Sequence, residues 1–269
     1  MAIFAGGKLN GTYDYTTRVD ILDTTSKVWT TASLSLGREG MAAVSAGSFA
    51  IIAGGAVQST YCSTVDIYNS VSKTWFTSSL SIPRTKLAAA ATSTGLAFFA
   101  GGINGSYTSA SSYNSVVDVY NTNTNTWSIK SLSQARYWFA ATTVGELLFF
   151  GGGSWYGGVS NIIDIYNVTS DTWSKNYLSD ARCGVAAGTY ANAAVFAGGK
   201  DPTFATKLVD FITTFGGIGS HNMLTARSDA VVVSTSNLVM FASGNYQTST
   251  IDVYGTVHST TGNNLMDIN

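Results

Sequence analysis

The stretch GGAVQSTYCSTVDIYNSVSKTWFTSSLSIPRTKLAAAA, Gly54–Ala91, decides how the chain is read, because its parts return along the whole sequence. A glycine pair recurs at Gly6-Gly7, Gly54-Gly55, Gly101-Gly102, Gly151-Gly152 and Gly198-Gly199. A Val/Ile-Asp pair recurs at Asp20, Asp66, Asp118, Asp164, Asp210 and Asp252. An arginine recurs at Arg38, Arg84, Arg136, Arg182 and Arg227, with spacings of 46, 52, 46 and 45 residues. Self-similarity at such a period points to a repeat architecture before any local reading begins.

Each period contains four short runs. A small-residue run such as KLAAAATS follows the arginine. A second, apolar run ends in the glycines, as in FAIIAGG and LAFFAGG. TVDIYN and its variants form the third, and runs centred on KTWFTS, NTWSIK or DTWSKN form the fourth. All are rich in β-branched or aromatic residues and bounded by Gly, Ser, Asn or Thr, which is the signature of strands. The continuous apolar second runs fit strands buried on both faces, and the alternation in VDIYN fits a strand nearer the rim. Four antiparallel strands per 45 to 50 residues make one propeller blade, and stacked blades bury faces that a lone sheet leaves wet. Trp29, Trp75, Trp127 and Trp173 lie nine residues after an aspartate, where they are expected to pack against neighbouring blades.

The double glycine, a tyrosine some way on and a tryptophan seven residues after that resemble the kelch repeat. Gly54-Gly55, Tyr68 and Trp75 form one copy; Gly101-Gly102, Tyr120 and Trp127 another; Gly151-Gly152, Tyr166 and Trp173 a third. The pattern degrades toward the C-terminus, where Ile212 replaces the tyrosine and Ser243-Gly244 the glycine pair. The resemblance implies an all-β kelch-type β-propeller of six four-stranded blades. One domain is expected over 1–269, with blades near 1–37, 38–83, 84–135, 136–181, 182–226 and 227–269. Only five first strands are led by an arginine, so the first and last blades are the places for incompleteness. The segment TVHSTTGNNLMDIN would supply the last blade's fourth strand, the first blade's missing innermost strand, or both.

In up-and-down blades, the loop before strand one and the loop between strands two and three open on one face. The second class of loop carries an aromatic in every blade: Tyr13 and Tyr15, Tyr61, Tyr107 and Tyr113, Trp155 and Tyr156, Phe204, and Tyr246. Tyr and Trp among Ser, Gly and Asn is the composition of adaptable binding loops. In kelch domains this face often holds the ligand, and arginines at the matching position can line its mouth. Two readings of Arg38, Arg84, Arg136, Arg182 and Arg227 therefore stand together. They line such a mouth, or they bind the repeated aspartates and loop carbonyls and serve the blade.

Composition narrows the partners. Charged residues are 11% of the chain, against roughly 25% in an average globular protein. Net charge is -1 with no basic stripe, which argues against nucleic acid and anionic membranes. No apolar run approaches the roughly 18 residues of a membrane-spanning helix, so no membrane insertion is expected. The opening MAIFAGGKLNG reads as a strand and not as a signal peptide. Cys62 and Cys183 fall at different repeat positions and read as buried thiols, not a bridge.

Catalytic sets are scarce. Some kelch propellers carry a copper-radical oxidase, which needs two histidine ligands and a tyrosine linked to cysteine; only His221 and His258 are present, with nothing to place them together. Glu39 and Glu146 lie at different repeat positions, and GGGSWYGG lacks the lysine of a phosphate loop. No cofactor or metal is expected. The sequence thus reads as a non-catalytic recognition or scaffolding module for a protein or glycan partner. A carbohydrate-active enzyme on a kelch ring and a structural subunit of a larger extracellular assembly are the competing readings. Sequons at Asn10, Asn104 and Asn167, with few lysines, tilt the setting toward extracellular.

Overall fold

The computed structural model describes residues 1–9, 14–235, 237–244, 251–259 and 262–267, with side chains as far as residue 255. Contacts divide the chain into two compact units, Met1–Ser131 and Leu132–Asn269. In the first unit, sheet 1 holds β1 (Ala2–Ala5), β2 (Arg18–Leu22) and β3 (Trp29–Ser33). Sheet 2 is β4 (Ala42–Ala46), β5 (Phe49–Ala53), β8 (Thr64–Asn69) and β9 (Thr74–Ser79), with a ribbon of β6 (Ala56–Val57) and β7 (Thr60–Tyr61) in its loop. Sheet 3 is β10 (Ala88–Ala91), β11 (Leu96–Ala100), β12 (Val116–Asn121) and β13 (Thr126–Ser131).

The second unit repeats the plan. Sheet 4 is β14 (Ala140–Val144), β15 (Leu147–Gly151), β18 (Ile162–Asn167) and β19 (Thr172–Tyr177), with a ribbon of β16 (Ser154–Trp155) and β17 (Gly158–Val159). Sheet 5 is β20 (Ala186–Tyr190), β21 (Ala193–Ala197), β22 (Leu208–Thr213) and β23 (Ile218–Asn222). Sheet 6 is β24 (Val231–Ser234), β25 (Leu238–Ala242), β26 (Ile251–Ser259) and β27 (Gly262–Asp267). Among the described residues every sheet pairing is antiparallel and follows chain order, and helix is confined to one 3-10 turn at Ala110–Ser112. The chain is all-β and has the fold of a six-bladed β-propeller. The C-terminal segment supplies the last sheet's fourth strand, and sheet 1 has three strands among the described residues.

Within each unit, sheets stack face to face. β4 packs on β10, and β14 and β24 both pack on β20. Ile51, Val65 and Ile67 meet Phe99 and Tyr120 between sheets 2 and 3, and Phe149 and Ile163 meet Phe196 and Ile212 between sheets 4 and 5. Burying one such phenylalanine contributes roughly 1.5–3 kcal/mol, so the faces, not the edges, hold the stack together.

Two details depart from the sequence reading. The third strands do not alternate: residues such as Val65, Asp66, Ile67 and Tyr68 are buried in succession, because both faces of each blade meet a neighbour or the strand-four aromatics. The fourth strands are mostly exposed instead, with single half-buried positions such as Trp75, Trp127 and Trp173. The fourth glycine pair is Gly152-Gly153, not Gly151-Gly152. Gly151 is still strand, whereas Gly152 and Gly153 take φ of 73° and 109°, like Gly54 and Gly55 at 69° and 104°. These positive φ values turn the chain sharply out of strand two, a shape that a Cβ resists.

The repeated tyrosine and tryptophan sit opposite one another in register. Their rings lie 4.9 Å apart for Tyr68 and Trp75, 4.9 Å for Tyr120 and Trp127, and 5.0 Å for Tyr166 and Trp173. The principal contact is therefore within a blade. Trp127 also reaches the neighbouring sheet, where Nε1 donates to Ser78 Oγ at 2.9 Å. Trp29 instead lies exposed against Phe4. In sheet 5 the pair becomes Ile212 opposite Ile218.

Candidate functional site

Each repeated arginine lies four residues before a first strand and turns inward. Its guanidinium meets the aspartate of the same sheet: Arg38–Asp66 at 2.8 Å, Arg84–Asp118 and Arg136–Asp164 at 2.7 Å, Arg182–Asp210 at 2.8 Å, and Arg227–Asp252 at 2.5 Å. It also donates to the strand-two carbonyl of Ile52, Phe99, Phe150, Phe196 or Phe241. The same carboxylates accept the backbone N–H of the residue three before the arginine, at Ser35, Ser81, Ser133, Ser179 and Leu224. All five arginines are 0–1% exposed. They do not line a binding mouth, as one reading expected, but lie inside the fold, where buried charges need partners and these have them. Burial pulls the Arg84 and Arg136 guanidiniums below the ordinary arginine range, against the opposing pull of Asp118 and Asp164.

Backbone bridges then join four of the arginine turns to the loop between strands two and three. Glu39 pairs with Ala56, Thr85 with Ile103, Tyr137 with Ser154, and Cys183 with Lys200. The two loop classes share one end of each sheet, as up-and-down strand order requires.

One residue beyond that bridge, a position emerges that the repeat reading missed. Gly40, Lys86, Trp138, Gly184 and Asp229, each two residues after an arginine, take φ of 67°, 52°, 58°, 62° and 56°. Their peptides link sheet to sheet: Lys86 N–H donates to Gly40 O at 3.0 Å, Gly184 N–H to Trp138 O at 2.9 Å, and Asp229 N–H to Gly184 O at 2.8 Å. Side-chain identity varies around a fixed backbone. A signal existed in the constant offset from the arginine, but four different residue types at the five positions concealed it.

In the second unit these side chains converge. Trp138 Nε1 donates to Asp229 Oδ1 at 2.5 Å, Lys200 Nζ lies 4.8 Å from the Trp138 ring centre, and Tyr137 stacks beside it at 6.4 Å. Gly184 lies beneath the indole, where a Cβ would approach the ring to 3.3 Å. In the first unit, Lys86 Nζ sits 3.4 Å from Tyr107 Oη, and Tyr61 Oη donates to Gly105 O at 3.0 Å.

The other expected loop residues are placed as follows. Trp155 and Tyr156 are exposed in the ribbon of sheet 4, with Trp155 folded over Gly157. Phe204 is exposed at a turn closed by Asp201 Oδ1, which accepts the N–H groups of Phe204 and Thr203 and is thereby held below the usual carboxylate range. A groove of about 410 Å³ runs beside it, lined by Asp180, Asp201, Phe204 and Lys207 among others. Tyr107 is exposed and Tyr61 half-buried. Tyr13, Tyr246 and Asn10 lie outside the described residues. Asn104 is half-buried; Asn167 Oδ1 accepts from Thr169 and Ser170 N–H, the same turn made by Asn69 and Asn121. Cys62 and Cys183 are buried and not joined in a disulfide. Among the described residues no group of three or more His, Cys, Asp or Glu could hold a metal ion.

Scanned against protein-family models and against curated proteins, the sequence matches none. Among solved structures it is similar to one described as "Structure of YjhT", with a TM-score of 0.70 and 16% identity, over 93% of this chain and 91% of that one. At that identity the likeness is one of fold, the six-bladed β-propeller.

Proposed function

We propose that the chain is a kelch-type recognition module, non-catalytic, which grips a protein or glycan partner at the end bearing the strand two–three loops. The observation that carries this reading is Trp138. A bulky residue at φ of 58° costs on the order of 1–3 kcal/mol, and the equivalent turns at Gly40 and Gly184 show what the backbone prefers. The blade gains no core from this indole, which is only half-buried. Its value lies outward: a flat ring with a lysine on its face and a carboxylate at its N–H suits a ligand with an apolar face and a polar rim. The exposed rings of Trp155, Tyr156 and Phe204 extend that surface.

The deciding variant is Trp138→Gly, since glycine relieves the backbone while removing the ring. On glycan and peptide arrays, wild type is expected to select a ligand class that Trp138→Gly and Asp229→Asn no longer hold. Thermal unfolding of Trp138→Gly should be unchanged or higher. Retained binding by both variants would remove this end from consideration.

A further inference from the structure

We propose that the end of sheet 5 holds a carbohydrate subsite, a groove that takes one neutral pyranose residue. Its C–H face would lie on Phe204 and its hydroxyls against Asp180, Asp201, Lys207 and Asn222. The proposal rests on the recognition reading above and narrows the partner to a glycan. The groove has a volume of about 410 Å³, within the roughly 300–1,000 Å³ of small-molecule sites. Its walls come from the turn before β20, the loop between β21 and β22, and the end of β23. Lys200 bridges both Cys183 and Ala205, so the chain there is extended and successive side chains leave it on opposite faces. Lys200 goes to the Trp138 ring, and Asp201 to the groove.

The side chains that line the groove are not the ones the blade requires. In four sheets the buried arginine donates from Nη1 to the carbonyl two residues before it, at Leu36, Ile82, Gln134 and Asp180. The backbone contact is constant, yet among these four Asp180 alone carries a charge. In the same way the carbonyls of Thr17, Ser63, Asn161 and Lys207 accept the N–H of the apolar residue just after strand four. Three of these residues are uncharged; Lys207 is the exception, and it lies exposed. In a chain with 11% charged residues, a carboxylate and an ammonium brought to one groove at two such positions are not explained by folding.

The aromatic wall is held in place. Asp201 Oδ1 accepts the N–H groups of Thr203 at 2.6 Å and Phe204 at 2.7 Å, and Asp201 N–H donates to Phe204 O at 3.1 Å. Pro202 fixes φ between them. Phe204 is nevertheless 72% exposed, a ring presented by a closed turn. A phenyl face without polar atoms suits the C–H face of a sugar. Around it two carboxylates accept, an ammonium donates, and the Asn222 carboxamide does both. Sugar hydroxyls donate and accept, so one ring can satisfy all of these groups. A charged guest of either sign meets a like charge in the lining, which selects a neutral ring over a uronate or a basic peptide.

The test uses the full chain and three probes, the methyl α-pyranosides of glucose, galactose and mannose, with methyl α-glucuronide as the charged comparison. Saturation-transfer difference NMR should show contact with the ring C–H protons of at least one neutral probe, and less with the glucuronide. Titration should show its affinity lowered about tenfold or more by Phe204→Ala. Asp180→Leu and Lys207→Ser should also weaken it; both install residues that other sheets carry there, and thermal unfolding should match wild type. Trp138→Gly should leave the monosaccharide bound, because the indole meets the other face of the loop. Absence of contact with every neutral probe, equal contact with the glucuronide, or binding that survives Phe204→Ala would overturn the proposal. If wild type still selects a ligand on the arrays in that event, the broader reading stands and only the groove falls. Selection of peptides alone would make a polypeptide the occupant of this end and overturn the glycan.

Discussion

Asp164 has two functions in one carboxylate: it neutralises Arg136 and accepts the backbone N–H of Ser133. Replacing it with Asn strands a buried guanidinium, and removal of one member of a buried pair costs about 3–5 kcal/mol. Urea unfolding of Asp164→Asn should show that loss. Asp210 gives the pH dependence. Burial pushes its carboxyl up, but the charge of Arg182 and hydrogen bonds from Ser220, Ser179 and Arg182 outweigh it and hold the group below the ordinary range. Its contribution is therefore complete above the unfolded value of about 4 and is lost as pH falls through the lower folded value. Thermal scans should fall steeply below about pH 4, and less steeply for Asp210→Asn. At Ser243, φ of 59° occupies the glycine position of the sixth pair. Ser243→Gly should raise stability by on the order of 1 kcal/mol, measured the same way. The arginine–aspartate partnership was legible in the sequence because both residues recur in step. Which of two roles the arginine served was not, since burial is decided by packing that no spacing reveals.

At the scale of the element, the two kinds of tryptophan separate. Trp127 faces Tyr120, lies 6.2 Å from Phe99 and donates to Ser78, so Trp127→Ala should cost roughly 3–5 kcal/mol. Trp155 covers only its own ribbon turn at Gly157, and Trp155→Ala should change stability by less than about 0.5 kcal/mol. Chemical denaturation of the two variants side by side checks the contrast. Strand positions followed from the sequence because the strands recur at one period, are short and are bounded by turn residues. The third-strand burial did not, because Asp66 and its equivalents look polar until their arginine is placed on the far side. The shifted glycine pair at Gly152-Gly153 has a similar cause. Three glycines in succession leave register to be settled by which peptide bonds the neighbouring arginine turn, and Gly153 N–H donates to Arg182 O. Trp138 escaped for another reason: a turn that accepts Gly, Lys, Trp or Asp shows no residue type to search for.

At the scale of the whole molecule, the carboxylates that accept from Ser35, Ser81, Ser179 and Leu224 make the cohesion of sheets 2, 3, 5 and 6 depend, within their own unit, on the sheet before each. Such a chain of couplings within each unit behaves as a one-dimensional nearest-neighbour array, in which a terminal member has one coupling where an inner member has two. Opening then begins at an end and advances blade by blade, as a zipper does. In the first unit, sheet 1 is that end, with its aspartate at the surface and, among the described residues, no strand beyond β1. Amide exchange should run fastest at Ile3 and Ala5, later in β8 and latest in β12.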